Sequence, residues 1–213
     1  AVTATRVEGL GQAEGIDCPK PRFSWQIDAA VPNVKQTAYR IRVASSPQLL
    51  RKGKADLWDS GRQPSDRQLY IDYAGQPLAS GTRYYYQIES QTTAGSAVSR
   101  VGNWLTGLMD RTEWRAQWIG GSFDSDIEAP KDRRTRINAR YLRRDFSIAG
   151  RVRSAVLYIS GLGLYEAYIN GHRIGTQVLA PGPTNYDREV MYNTFDVTRE
   201  VRRGANAIGV VLG

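Results

Sequence analysis

A segment in the second half of the chain combines tyrosine rings with planar polar side chains. Proteins bind sugars by packing aromatic faces against C–H surfaces and by holding hydroxyls with a few well-placed polar groups. Residues 165–188 offer both kinds of side chain. We interpret seven of them as candidate sugar- or domain-contacting residues: Tyr165, Asn170, Thr184, Asn185, Tyr186, Asp187 and Arg188. A structural interpretation stays open beside this one, in which Tyr186 packs the corner and Asn185 caps a turn.

Other site chemistries find little support in the sequence. His172 is the only histidine and directly follows an Asn-Gly pair, so we expect a solvent-exposed loop residue rather than a member of a nucleophilic triad. The alternating acids Asp124, Asp126 and Glu128 lack the glycine and the glutamate spacing of a calcium-binding loop, which favours a surface loop. Cys18 is the only cysteine, which excludes an intrachain disulfide and a cysteine-based metal site. We therefore predict no metal and no cofactor.

The sequence also gives little support for a pair of carboxylates that could hydrolyse a glycoside. Such chemistry needs one protonated acid and one base on either side of a sugar. Glu166 and Asp187 are the most suggestive acids. However, Glu166 falls in the middle of a predicted strand, where we expect it to pair with Arg173 or Arg188 across a hairpin. We predict no catalytic residue on this chain.

The net charge of +8 is concentrated in one stretch. Between residues 131 and 153 only Asp132 and Asp145 oppose a series of basic residues: Lys131, Arg133, Arg134, Arg136, Arg140, Arg143, Arg144, Arg151 and Arg153. A nucleic-acid site would use such a strip to neutralise phosphates, but Tyr141 and Phe146 are the only aromatic residues within it. We expect a solvated or domain-facing strip and no nucleic-acid partner.

The first half of the chain has the pattern of an all-β sandwich of the fibronectin-III or immunoglobulin-like class. Hydrophobic residues reach 41% and alternate with polar ones in short segments separated by turn residues. We predict strands at residues 5–10, 22–27, 37–44, 57–60, 69–73, 83–92 and 98–106. Trp25 should fill the core, Tyr84 should hydrogen-bond back to the backbone at a corner, and residues 47–53 should form a helical turn closed by Gly53.

The second half predicts part of another β-sandwich. Its strands are expected at residues 141–148, 154–160, 164–170, 173–178, 190–196 and 206–212, and Asn170-Gly171 is a strong signal for a two-residue hairpin turn. We expect the last strand to be an exposed apolar edge. The predicted organisation is a sandwich over residues 1–108, a connector over 109–140 that contains Trp114 and Trp118, and an apparently truncated sandwich over 141–213.

Several short motifs occur in an order typical of one enzyme family. They are Arg22-Phe23-Ser24-Trp25, Trp58-Asp59-Ser60-Gly61, Trp114-x-x-x-Trp118-Ile119, Leu142-Arg143-Arg144-Asp145-Phe146, and the segment from Tyr158 to Thr198 with its Asn-Gly hairpin and its Asp-Val-Thr end. The chain resembles the N-terminal, non-catalytic region of the bacterial α-L-rhamnosidases, glycoside hydrolase family 78. One departure is Pro183, where many members carry a tryptophan, and this removes a possible aromatic sugar platform.

The resemblance implies a fold and a function. The second sandwich would be a jelly-roll-type carbohydrate-binding domain. The parent enzyme would hydrolyse terminal α-L-rhamnosides with inversion, on a helical barrel downstream, and this fragment alone would be inactive. Its partners would be that barrel and, through the parent, a rhamnose-containing glycan or glycoside. We expect a secreted or periplasmic bacterial protein, and no segment is apolar enough to span a membrane. The alternative is a stand-alone extracellular glycan-binding or adhesive module.

Overall fold

The computed structural model of the chain describes residues 1–120 and 139–213. The chain divides into two compact units, Ala1–Trp114 and Arg115–Gly213. In the described residues of both units, β-strands make up almost all of the regular secondary structure, as the period-two alternation predicts. The acidic triplet Asp124, Asp126 and Glu128 and the basic residues from Lys131 to Arg136 lie outside the described residues.

The first unit is an immunoglobulin-like sandwich of nine strands and one helical turn, followed by a short 3₁₀ helix at Arg111–Glu113. Its elements are β1 Val2–Val7, β2 Ala13–Ile16, β3 Arg22–Ile27, β4 Gln36–Ala44, α1 Pro47–Arg51, β5 Trp58–Asp59, β6 Ile71–Asp72, β7 Arg83–Thr92, β8 Gly95–Val98 and β9 Gly102–Thr106. One sheet has the order β1-β3-β6, and the other has the order β2-β9-β7-β4-β5 with β8 paired to β7. The predicted all-β class is therefore confirmed.

Alternation along the strands places aromatic and branched side chains between these two sheets. On β7, Tyr84, Tyr86 and Ile88 point inward and are 6%, 3% and 0% exposed. Trp25 is 1% exposed and Trp104 is 0% exposed, so the predicted core position of Trp25 is confirmed. Full burial of an apolar side chain stabilises a fold by about 1.5–3 kcal/mol, so these residues dominate the stability of the unit.

Two local predictions for the first unit are confirmed. The Tyr84 hydroxyl accepts a hydrogen bond of 2.8 Å from the backbone N–H of Ala79, which fixes the corner before β7. Helix α1 ends as its sequence indicates, because Gly53 adopts a left-handed φ of 72° and its N–H donates to the Leu50 carbonyl.

Several strands of the first unit differ from prediction, and three of the differences have local reasons. Strand β1 ends at Val7 rather than at residue 10, because Glu8 and Gly9 have φ values of 49° and 77° and turn the chain. The single strand predicted over 98–106 is two strands, β8 and β9, separated near Ser99. Strand β2 was not predicted, since it has only four residues and contains Gly15 at a φ of 76°.

The second unit contains six strands in two described sheets. They are β10 Arg140–Ile148, β11 Val156–Ile159, β12 Tyr165–Ile169, β13 His172–Ile174, β14 Asn193–Asp196 and β15 Gly204–Leu212. The larger sheet has the order β10-β15-β12-β13, and the smaller one pairs β11 with β14. A core of Tyr165, Ala167, Ile169, Ile174, Phe195 and Val197 lies against apolar residues of β11 and β15.

The prediction that the last strand is an exposed edge was wrong. Strand β15 lies between β10 and β12 and pairs antiparallel with both. Its alternating pattern puts Ile208, Val210 and Leu212 against the core. The strand predicted over 173–178 is also shorter, because Gly175 adopts a φ of 75° directly after Ile174.

Candidate functional site

The hairpin that joins β12 to β13 forms as the sequence predicts. Asn170 and Gly171 have φ values of 52° and 84°, so both central residues are in the left-handed region. Ile169 pairs with His172 across the turn. His172 is exposed, as expected for a residue that follows a tight turn.

The amide of Asn170 is fully engaged within the protein. Its Nδ2 donates to the Glu200 carbonyl at 2.8 Å and to Asn206 Oδ1 at 2.9 Å, and its Oδ1 accepts from the Ala207 N–H at 3.0 Å. Asn170 therefore fastens the hairpin to the start of β15. This geometry supports a structural role for a residue that we predicted to contact sugar or a neighbouring domain.

Asn206 is the second member of this network, and it is not among the candidate residues that the sequence analysis named. It is 4% exposed. Its Oδ1 accepts from the Arg202 N–H at 2.9 Å, and its Nδ2 donates to the carbonyls of Arg202 and Gly204 at 2.7 and 2.9 Å. The signal was present in the sequence, because an asparagine between small and apolar residues of a strand needs internal partners when it is buried.

Glu166 forms a surface cluster with two side chains. Arg173 Nη2 lies 3.1 Å from Glu166 Oε1, which confirms the predicted pairing across the hairpin. The Tyr168 hydroxyl donates a hydrogen bond of 2.7 Å to Glu166 Oε2, and this bond raises the pKa of Tyr168 above its ordinary value. Glu166 is thus an ion-paired carboxylate that also accepts a hydrogen bond.

Tyr165 lies in the core of the second unit. It is 8% exposed, its hydroxyl donates a hydrogen bond of 2.7 Å to Asn193 Oδ1, and burial raises its pKa to about 12. Its backbone N–H donates to the Ala180 carbonyl at 2.8 Å, which anchors the chain directly before the Pro/Gly-rich corner. The ring fills the core and leaves little surface for a ligand.

The remaining candidates, residues 184–188, form a compact polar turn. Asn185 Oδ1 accepts from the Asp187 N–H at 3.2 Å, and its carbonyl accepts from the N–H groups of Arg188 and Glu189 at 2.9 Å. The predicted capping role of Asn185 is therefore confirmed. Thr184 Oγ1 donates to the Glu189 carbonyl and closes the turn. Tyr186 is 43% exposed, and Asp187 and Arg188 are also exposed.

The structure does not bring all seven candidates to one place. Tyr165 begins β12 and Asn170 directly follows its end, so the two lie about 16 Å apart at the ordinary rise of a strand. The exposed members, with side chains open to solvent, are Asn185, Tyr186, Asp187 and Arg188. These four residues are the candidates at the corner that a sugar can reach, and their role in sugar binding remains a prediction.

The described residues form neither a metal-binding cluster nor a membrane-spanning helix. Within residues 1–120 and 139–213, no three His, Cys, Asp or Glu side chains converge on a point where a metal ion could sit. Among these same residues there is no helix of the length and apolarity needed to cross a bilayer. Cys18 is a free, half-buried thiol.

Two successive β-sheet units, the first of them an immunoglobulin-like sandwich and the second with an exposed polar-aromatic corner, define an all-β protein. Residues 2–110 match the family described as Rha78A-like, N-terminal immunoglobulin domain, and residues 150–213 match the alpha-L-rhamnosidase N-terminal domain. The chain belongs to the family of α-L-rhamnosidase N-terminal regions.

Individual relatives give the same result. An alpha-L-rhamnosidase of Formosa agariphila is 36% identical over 95% of this chain and 22% of its own length. The solved alpha-L-rhamnosidase structure from Dictyoglumus thermophilum is 36% identical and superimposes with a TM-score of 0.86 over 100% of this chain and 25% of that one. The Streptomyces avermitilis alpha-L-rhamnosidase complexed with L-rhamnose is 28% identical, with a TM-score of 0.55 over 100% of this chain and 22% of that one. The chain therefore spans about a quarter or less of the length of these relatives.

Proposed function

We propose that this chain is the N-terminal accessory region of an α-L-rhamnosidase that hydrolyses terminal α-L-rhamnosides of glycans or glycosides with inversion. The observation that carries the proposal is the similarity over 95% of the chain to an enzyme of that name. In this proposal the catalytic helical barrel is downstream, and the 213-residue chain has no hydrolytic activity of its own.

Within the parent, the two sandwiches support and flank the catalytic domain. The contacts in the second unit favour this structural role, since Tyr165 and Asn170 are committed to internal hydrogen bonds. Exposed side chains at the corner, above all Tyr186, are available to a sugar or to a neighbouring domain. We assign the first sandwich to the fibronectin type III kind within the immunoglobulin-like class, on the basis of its Tyr84 corner.

The proposal is tested by comparing the 213-residue chain with the product of its complete reading frame. Both proteins are incubated with an aryl α-L-rhamnoside, and release of the phenol is measured. The anomeric configuration of the first sugar product is determined by NMR. We expect hydrolysis only by the complete protein, with β-L-rhamnose as the first product. Hydrolysis by the 213-residue chain would contradict its accessory role, and a complete protein inactive on every rhamnoside tested would contradict the assigned reaction.

Location in the cell is a separate proposal. We propose that the protein is secreted or periplasmic in a bacterium, where polymeric glycans are accessible. Fractionation of the source cells with an antibody against the first sandwich tests this, and recovery of the protein only in the cytoplasmic fraction would contradict it.

A further inference from the structure

The side chain of Asn170 extends the pairing of β12 with β15 by one residue beyond the end of β12. Ile169 is the last residue of β12 and pairs with Ile208. At the next position, the Asn170 N–H donates to the Ala207 carbonyl at 2.9 Å, and the Ala207 N–H donates to Asn170 Oδ1 at 3.0 Å. The side-chain oxygen therefore takes the place of a backbone carbonyl, because the backbone of Asn170 turns away at a φ of 52°.

The amide nitrogen of Asn170 is fixed from a second direction. Each N–H of Nδ2 has its own acceptor, the Glu200 carbonyl at 2.8 Å and Asn206 Oδ1 at 2.9 Å. An Asn206 amide turned to offer a donor instead would lose its own bonds to the carbonyls of Arg202 and Gly204. The surroundings of Asn170 are thus matched to a neutral amide, with a donor for its oxygen and acceptors for its nitrogen.

The residue after Asn170 makes this amide chemically vulnerable. Asparagine is a labile residue, and a glycine that follows it has no Cβ to obstruct attack of the backbone nitrogen on the side-chain amide. Among the described residues, no atom lies within 4 Å of the point where a Cβ of Gly171 would stand, so the approach is open on that side. Asn170-Gly171 is also the only Asn-Gly pair in the sequence.

The reaction that this pair undergoes needs only water. The Gly171 nitrogen forms a bond to Cγ of Asn170, the Cγ–Nδ2 bond breaks, and ammonia leaves with the proton of the Gly171 N–H. Water then opens the cyclic imide at either of its two carbonyl carbons. One opening yields aspartate at position 170, and the other yields isoaspartate, in which an additional carbon enters the backbone of the turn.

The native hydrogen bonds oppose the first step of this reaction. Attack requires Cγ of Asn170 to rotate towards the Gly171 nitrogen, and the rotation breaks the bonds that the amide makes to β15 and to the segment before it. The partners are backbone groups and the side chain of Asn206, which is 4% exposed, so they do not follow the rotating amide. Local opening of the hairpin from β15 must therefore precede the reaction.

The product does not rebuild the native contacts. In aspartate, one carboxylate oxygen still accepts from the Ala207 N–H, but the other faces the Glu200 carbonyl and Asn206 Oδ1, which are both acceptors. A carboxylate at neutral pH has no proton to donate, so repulsion replaces the hydrogen bonds of Nδ2 in a half-buried site. Isoaspartate in addition disturbs the pairing of Ile169 with His172 across the turn.

We propose that Asn170 is a deamidation site whose reactivity is controlled by its hydrogen bonds to Asn206, Glu200 and Ala207. The native hairpin protects the amide, and each local opening exposes it to irreversible conversion. After conversion the hairpin no longer fastens to the start of β15. This modification belongs to the second unit itself and is independent of the reaction proposed for the parent protein.

The experiment is peptide mapping by mass spectrometry of the 213-residue chain after incubation in mildly alkaline buffer. Deamidation raises the mass of the peptide that contains Asn170, and chromatography separates its aspartate and isoaspartate forms. We expect conversion to be at least about tenfold slower in the native chain than in the chain unfolded in urea. Asn206→Ala should accelerate it by about fivefold or more, because one partner of the amide is removed.

Asn185→Ala is the matched control for Asn206→Ala. It removes an asparagine that stabilises an exposed turn and makes no contact with the Asn170 amide, so the rate of conversion should stay within about twofold. Equal acceleration by both substitutions would overturn the proposal. So would conversion of Asn170 at equal rates in the native and unfolded chains, or no conversion in the unfolded chain.

Two further measurements separate local protection from a general loss of folding. In the unsubstituted chain, the rate of conversion at urea concentrations below the unfolding transition should rise in proportion to hydrogen exchange at the Asn170 and Ala207 amides, which report this opening. Asn170→Asp reproduces one product, and peptides of β12 and β15 should exchange faster in this variant. A conversion rate that does not follow hydrogen exchange, or unchanged exchange in Asn170→Asp, would overturn the proposal.

Discussion

The two units achieve the same sandwich architecture with different cores. In the first unit, interlocking rings fill the space between the sheets: Phe23 and Trp104 are 0% exposed and their ring centroids lie 5.7 Å apart in an edge-on arrangement. In the second unit, smaller side chains such as Ala167 and Ile169 form the centre, and the buried Asn206 holds the half-buried Asn170 of the hairpin. The first unit is thus stabilised by the packing of apolar side chains. The second unit also depends on hydrogen bonds between partly buried polar groups, and the loss of one partner leaves the other group unpaired at a cost in stability.

The largest effect is expected from Trp104→Ala in the first unit. Truncation of a fully buried tryptophan removes its burial and leaves a cavity, which costs about 3–5 kcal/mol of unfolding free energy. Urea unfolding followed by tryptophan fluorescence measures the loss. Trp118→Ala is the control, because this ring is 62% exposed and its removal should change stability by no more than about 0.5 kcal/mol. Equal losses in both variants would contradict the packing-based account of the first unit.

The next effect is expected from Gly175→Ala in the second unit. Gly175 has a φ of 75°, and an added Cβ would lie 2.5 Å from Phe195 Cε1. We expect a loss of about 2–4 kcal/mol, the sum of the left-handed conformation and the overlap with the core. Gly171→Ala shares the positive φ but has no atom within 4 Å of the new Cβ, so it should cost only about 1–2 kcal/mol. Thermal unfolding by circular dichroism compares the two, and a larger loss at Gly171 would show that overlap with the core is unimportant.

A smaller loss is expected from Asn206→Ala. The substitution removes the hydrogen bonds that join Asn206 to the Asn170 amide, to the Arg202 N–H and to the carbonyls of Arg202 and Gly204, at a cost of about 1–3 kcal/mol. Hydrogen exchange measured by mass spectrometry should show faster exchange in peptides from β12 and β15 while peptides of the first unit are unchanged. Asn185→Ala, at an exposed turn, provides the control and should leave exchange in both strands unaltered.

The smallest effect concerns high pH. Burial raises the pKa of Tyr165 in the second unit and of Tyr73 in the first unit, each to about 12, whereas an unfolded tyrosine titrates near pH 10. Because the native pKa is the higher one, this contribution to stability is fully present below about pH 10 and is lost as pH rises towards 12. In Tyr165→Phe the fall in stability of the second unit between pH 9 and 12 should be shallower than in the unsubstituted chain. Urea unfolding at several pH values measures it, and parallel curves would contradict the assignment.

Local signals in the sequence predicted much of the fold. Alternation located β3 and β7 to the residue, because one face of each strand is buried and the other is wet. Asn170-Gly171 predicted the hairpin, since few other residue pairs accept two successive left-handed conformations. The pairing of Glu166 with Arg173 followed from that hairpin. These features depend on neighbours within a few residues.

The candidate site was less predictable, because the type of a residue does not reveal its exposure. Tyr165 and Tyr186 have the same side chain, yet one is 8% exposed in a core and the other is 43% exposed on a turn. Likewise, Asn170 belongs to a hydrogen-bond network that links two strands, whereas Asn185 stabilises a local turn. Contacts with residues distant in the sequence decide which tyrosine or asparagine a ligand can reach.

The sequence by itself determined the all-β class, the hairpin and the family. Hydrophobic periodicity, the residues of a tight turn and the order of motifs can all be read directly from the sequence. Only the tertiary structure decided that β15 is an inner strand and that Tyr141, Tyr168 and Gly209 lie on one face of the larger sheet of the second unit. The physical reason is that side-chain alternation gives each strand two faces but does not specify its neighbours in the sheet. That choice depends on hydrogen bonding between segments dozens of residues apart, such as the pairing of Tyr141 with Val211.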